Sequence, residues 1–245
     1  MTFLVSIAVV GTLVAVVAAL FTVLWREQSS ERAARVALVS GITLVVWALA
    51  GSVLAYYGFF HQADETAFPP IGIALIIASF SLGVSLAGSS ALRGLLTRQS
   101  SLIRLNAWRL IGVVFIVLML AGKMPALWAL PAGIGDILVG ATAFRVARDV
   151  ASVRGRRRAI IWNLFGMADL IVAVAIGVMT APGPTQIFHT TPTSELVTYF
   201  PLALVPAVLV PLAFAIHVAS LWQLLGGTWA GQASVTLRAG RSFEF

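Results

Sequence analysis

Seven apolar runs, each long enough to cross a bilayer as a helix, constrain this chain more than any other feature. A helix rises about 1.5 Å per residue and the hydrocarbon layer is ~30 Å thick, so one span needs about 20 residues. Such runs occur near 3 to 25, 36 to 60, 69 to 91, 105 to 122, 126 to 145, 159 to 180 and 199 to 224. The predicted fold is an all-α integral membrane protein. A bundle of seven transmembrane helices fills residues 1–225, followed by a short tail over 226–245. Composition agrees: 60% of residues are hydrophobic and 10% are charged, against about 25% charged in a soluble domain. The segment Met1 to Trp25 lacks a basic leader and reads as a retained span rather than a cleaved signal peptide.

The net charge of +7 is explained by topology before any acidic partner is invoked. The first, third and fifth connections carry Arg26, Arg32 and Arg35, then Arg93, Arg98 and Arg104, then Arg145, Arg148, Arg154, Arg156, Arg157 and Arg158. With Arg238 and Arg241 in the tail, these are 14 of the 16 basic residues. The second and sixth connections hold Asp64, Glu65 and Glu195 and no basic residue. Positive charge stays on the cytoplasmic side, so the expected orientation is N-terminus outside and C-terminus cytoplasmic. The expected location is a bacterial plasma (inner) membrane, with the lipid bilayer as principal partner. No nucleic-acid motif is present.

Aromatic placement follows the same frame, because Trp and Tyr favour the interfaces. Trp25, Trp108, Trp162 and Trp222 fall near inner ends, Tyr56, Tyr57, Trp128 and Tyr199 near outer ends, and Trp47 mid-span. Ser81, Ser85 and Ser89 on the third span, and Gly51 with Ala55 on the second, form small-residue ridges suited to close helix packing. Thr191 before Pro192 is a candidate helix start in the sixth connection, which is otherwise expected to be an ordered loop rather than a lid.

Two aspartates interrupt the apolar pattern in similar contexts, Gly133-Ile-Gly-Asp136 and Gly166-Met-Ala-Asp169, each followed by aliphatic residues. A carboxylate at mid-bilayer costs about 2.5 to 3.5 kcal/mol on the insertion scale, so each needs an offsetting interaction. Counting from the predicted boundaries, both lie about 15 Å from the cytoplasmic edge on adjacent antiparallel helices. The expectation is a pair that shares a proton. Arg109, one turn inside the fourth span and roughly 10 Å shallower, is expected to snorkel to the headgroups, with pairing to either aspartate as the alternative. Asn106 and Asn163 share its depth. His217, about 10 Å from the same edge, is a candidate relay, while Pro206 and Pro211 weaken the outer half of its helix. The candidate site is thus Asp136, Asp169, His217, Arg109 and Asn163, in a cavity among the fourth to seventh spans.

Chemistry elsewhere is sparse. The chain has no cysteine, no hydrolase motif and no metal-ligand spacing, so no cofactor and no metal are expected. His61 and His189 lie near external acids without a ligand pattern. A retinal protein needs a lysine deep in the last span, where this chain has His217; its only lysine is Lys123. Three classes remain, led by transport or gating coupled to a proton or small solute. A structural, sensory or assembly component with a cytoplasmic partner comes second, and a membrane enzyme acting on a lipid or quinone third. The oligomeric state is open.

Overall fold

The computed structural model describes residues 2–28, 30–61 and 70–226. Asp64 and Glu65 of the second connection, and the tail with Arg238 and Arg241, lie outside the described residues. The described residues are mainly helical, with no strands among them. They contain seven helices long and apolar enough to cross a membrane. We number these α1 (Thr2–Arg26), α2 (Glu31–Tyr56), α3 (Pro70–Gly88), α4 (Gln99–Leu120), α5 (Ala126–Asp149), α6 (Val153–Thr180) and α7 (Val205–Leu224). A short helix, Ser90–Leu95, links α3 to α4.

Several helices extend past their apolar runs, because hydropathy stops where polar residues begin and the helix does not. Ser30 caps α2 by accepting from the Ala33 amide, and Ser152 caps α6 by accepting from the Gly155 amide. Both satisfy backbone donors left free at a helix start. Helix α6 therefore begins at Val153 rather than 159, and Arg154, Arg156, Arg157 and Arg158 occupy its first two turns. At 28 residues it is ~42 Å long, enough to carry those arginines beyond the hydrocarbon. Helix α4 likewise begins at Gln99 rather than 105, runs as a 3-10 helix over Asn106–Ile111 and resumes α geometry at Gly112.

Helix α7 is the organising element, packed against α3, α4 and α6, while α5 packs between α4 and α6. The α1–α2 hairpin flanks this core, with α2 meeting the first turn of α7. At that contact a methyl group on Gly51 would lie 2.9 Å from Val208 Cγ2, and Ala55 is buried, so the predicted ridge on α2 does allow close approach. The serine ridge on α3 does not. Ser81 and Ser85 are exposed, with the Ser85 hydroxyl turned back onto the Ser81 carbonyl, and Ser89 caps the Ser90–Leu95 helix.

The outer surface carries large exposed apolar side chains, including Leu49, Phe80, Leu120 and Phe144. Such a surface suits hydrocarbon rather than water. Two of the tryptophans placed near helix ends are also buried in the bundle: Trp128 Nε1 donates to the Ala173 carbonyl at 2.8 Å and Trp162 Nε1 to Thr142 Oγ1 at 2.9 Å. Each ties α5 to α6. Helix α7 opens with a π-helical turn over Val205–Leu209, with Pro206 inside it and Pro211 near the start of the α segment. The π-helical turn closes with the Val210 amide donating to the Val205 carbonyl, and the α segment Val210–Leu224 continues unbroken past Pro211. In the connection before it, the short helix is a 3-10 turn over Ser194–Thr198 capped by Thr193, two residues later than the expected start.

Candidate functional site

The five candidate residues converge on one buried hydrogen-bonded cluster. Arg109 from α4 is 0% exposed at its centre. Its Nε donates to Asp136 Oδ1 on α5 at 2.6 Å, and its Nη2 donates to Asp169 Oδ2 on α6. Nη1 donates to the Gly166 carbonyl at 3.1 Å and to His217 Nε2 on α7 at 3.2 Å. Four of the five guanidinium donors are thereby used. One fork-shaped cation holds four helices together.

These contacts fix the histidine. A guanidinium only donates, so His217 Nε2 accepts and the ring proton sits on Nδ1. From there it donates to Asn163 Oδ1 at 2.8 Å, and Asn163 Nδ2 donates to the Ala159 carbonyl at 2.8 Å. His217 is therefore the neutral Nδ1-protonated tautomer. The cluster holds one permanent cation and two carboxyl groups, so a single proton makes it neutral.

Glycines make room for these groups. A methyl on Gly135 would overlap the Asp169 carboxylate. One on Gly166 would lie 2.6 Å from His217 Nε2 and 3.1 Å from Arg109 Nη1, and one on Gly112 would lie 2.6 Å from Asp136 Cβ. The Gly-containing contexts of the two aspartates are thus the floor on which the carboxylates, guanidinium and imidazole pack.

Two expectations are corrected. Arg109 does not snorkel: with α4 starting at Gln99, it lies ten residues, about 15 Å, into the helix rather than one turn. The polar stretch Gln99–Arg104 concealed that length. Nor are the aspartates a bare pair without a counter-charge, because Arg109 stands between them and bonds to both. Asn106 is fully buried, with Nδ2 donating to the Leu102 carbonyl at 3.2 Å.

The carboxylates keep a slight opening that the guanidinium lacks. The Asp136 side chain is 10% exposed and that of Asp169 is 8%. Asp136 is the one ionisable side chain lining a cavity of about 90 Å³ walled by Phe115, Trp128, Leu170, Val174 and Val205. That cavity lies between the cluster and the end of the bundle remote from the arginine-rich connections. Val197 and Thr198 of the 3-10 turn line it too, and Ser194 Oγ holds the turn to α6 by donating to the Gly177 carbonyl at 2.7 Å. Nearby, Tyr199 donates to Glu195 Oε1 at 3.2 Å and stacks on His61 at 4.6 Å, while His189 is exposed. Among the described residues no three His, Cys, Asp or Glu side chains are placed to hold a metal ion.

Sequence reading missed Gln99, Ser220 and Gln223, which are buried toward the arginine-bearing end. Gln99 Nε2 donates to Ser220 Oγ, joining α4 to α7. Their spacing was the available signal: Gln99 and Asn106 are seven apart, and His217, Ser220 and Gln223 follow at intervals of three, which stacks each set on one helix face.

Fold and site together define a helical protein compatible with membrane insertion, built around a buried Arg–Asp–Asp–His cluster. The chain belongs to the family described as a domain of unknown function, DUF8737, which matches residues 68–225. That stretch contains α3 to α7 and every residue of the cluster. No curated protein and no solved structure matches the chain.

Proposed function

We propose that this chain is a multi-pass protein of a bacterial plasma membrane, N-terminus outside and C-terminus cytoplasmic, that moves or is gated by a proton or small solute through α4–α7. The observation that carries the reading is the stoichiometry at mid-bundle, two carboxyl groups on one guanidinium. Desolvated net charge is expensive, so such a cluster binds a proton readily and changes its bonding when the proton leaves. The cavity beside Asp136 supports access from the outer side, and the arginines at the opposite end support the orientation.

A structural role is the second reading, favoured by the near-complete bonding of Arg109, which links four helices. Replacing one carboxylate separates the two. Asp169→Asn leaves Arg109 with Asp136 as a neutral one-to-one pair, so folding should survive. In proteoliposomes under an imposed pH gradient, the wild type should show proton-coupled flux, and Asp136→Asn and Asp169→Asn should each abolish it while remaining monodisperse. Wild-type flux in both folded variants would remove the cluster from the mechanism and leave the structural role.

A further inference from the structure

The cluster does not end at His217. Below it, toward the arginine-bearing end, Gln99 and Asn106 on α4 and Ser220 and Gln223 on α7 are all at least nine-tenths buried. Three of their amide oxygens, Gln99 Oε1, Asn106 Oδ1 and Gln223 Oε1, lie out of contact with solvent and accept from no donor among the described residues. Turning the Asn106 amide over would not help, because its Nδ2 already donates to the Leu102 carbonyl. Buried polar atoms in native proteins are satisfied by protein or by ordered water, so three orphaned acceptors, two on one face of α4 and one on the adjoining α7, call for donors from water.

The seam also has an entrance. Gln223 lines a second cavity, of about 400 Å³, together with Arg93, Trp222 and Leu96. Arg93 stacks over the Trp222 ring at 5.2 Å there, and Arg156 Nε caps the adjoining end of α7 by donating to the Leu224 carbonyl at 2.9 Å. From Gln223 to His217 is six residues, a rise of about 9 Å. Two or three water molecules at ordinary O–H···O spacing of about 2.8 Å cover that distance.

We infer that α4 and α7 enclose a hydrated seam, with water donating to the amide oxygens of Gln99, Asn106 and Gln223, that links the Arg93–Gln223 cavity to the Arg109 cluster. Water is the ligand the chemistry selects, since it supplies donors to the orphaned oxygens and finds the two to four polar partners a buried water needs. The seam deepens the reading of the cluster as a proton-binding centre: a proton released by a carboxyl group passes to the water chain and leaves by the arginine-bearing end. The inner half of the bundle is then wet and polar, the outer half apolar around Asp136.

The absence of cysteine makes the chain its own background for a thiol test. Ser220→Cys, Asn106→Cys and Ile103→Cys are compared in the full-length chain in lipid nanodiscs, with the hydrophilic reagent methanethiosulfonate ethylammonium. Ile103 is the control, fully buried against Val139 and Ala143 in an apolar cluster. Only a hydrated thiol ionises and reacts, so Ser220→Cys and Asn106→Cys should be modified at least about tenfold faster than Ile103→Cys. Denaturant should then expose one free thiol in each variant that escaped modification. If Ser220→Cys fails to fold, Asn106→Cys reads the same seam. Rates equal to that of Ile103→Cys in folded protein would overturn the inference. Flux lost in the aspartate variants with an inert seam sends the proton elsewhere; a reactive seam without flux keeps the water and removes the transport reading.

Discussion

Arg109 shows how one buried charge can be both a liability and a fastener of a helical bundle. Removing one member of a buried ion pair leaves an uncompensated charge and typically costs about 3–5 kcal/mol, whereas replacing all members with neutral groups of similar volume is often tolerated. Arg109→Met should therefore lose that amount of stability. Arg109→Met combined with Asp136→Asn and Asp169→Asn should recover most of it, as read by thermal unfolding in detergent; a triple variant no more stable than the single one would contradict the pairing. Gly135→Ala places a methyl inside the Asp169 carboxylate, so it should destabilise by about 1–3 kcal/mol through overpacking. The aspartates were legible as candidates because charge stands out in apolar sequence. Their bond to Arg109 was not, since it depends on where α4 begins, and the sequence around Gln99–Arg104 reads as connection.

At the scale of elements, hydropathy located all seven helices but not their ends. The ends are set by caps such as Ser30 and Ser152 and by arginines that tolerate helix outside hydrocarbon. Spacing was informative for Gly51 and Ala55, which do pack, and misleading for Ser81 and Ser85, because period four says that residues share a face and not which face finds a neighbour. Burial of Trp128 and Trp162 was hidden for the same reason. The 3-10 turn Ser194–Thr198 offers an element-level test. Its hydroxyl tie to the Gly177 carbonyl is a single neutral hydrogen bond, contributing about 1 kcal/mol. Ser194→Ala should speed amide hydrogen exchange across residues 194–198 about fivefold while leaving α6 protected, given that free energy. Unchanged exchange would show that the turn is held over the cavity by packing alone.

The whole molecule joins two unlike halves at the cluster. Toward one end lies an apolar cavity touching Asp136, and toward the other a seam of amides and a hydroxyl leading to Arg93 and Arg156. The family-matched stretch, residues 68–225, holds both halves, while the α1–α2 hairpin packs on the outside of α7 and α4. Orientation belongs to this scale: a green fluorescent protein fused after Phe245 should fluoresce and an alkaline phosphatase there should be inactive, and the reverse would invert the assignment of the two halves. The central claim is that Arg109, Asp136 and Asp169 form a unit that binds one proton. Infrared difference spectroscopy of the reconstituted protein between acidic and alkaline buffer tests it directly. The account predicts one carboxylic C=O band per chain that shifts on deuteration and disappears in both Asp136→Asn and Asp169→Asn. A difference spectrum that either substitution leaves unchanged would contradict it.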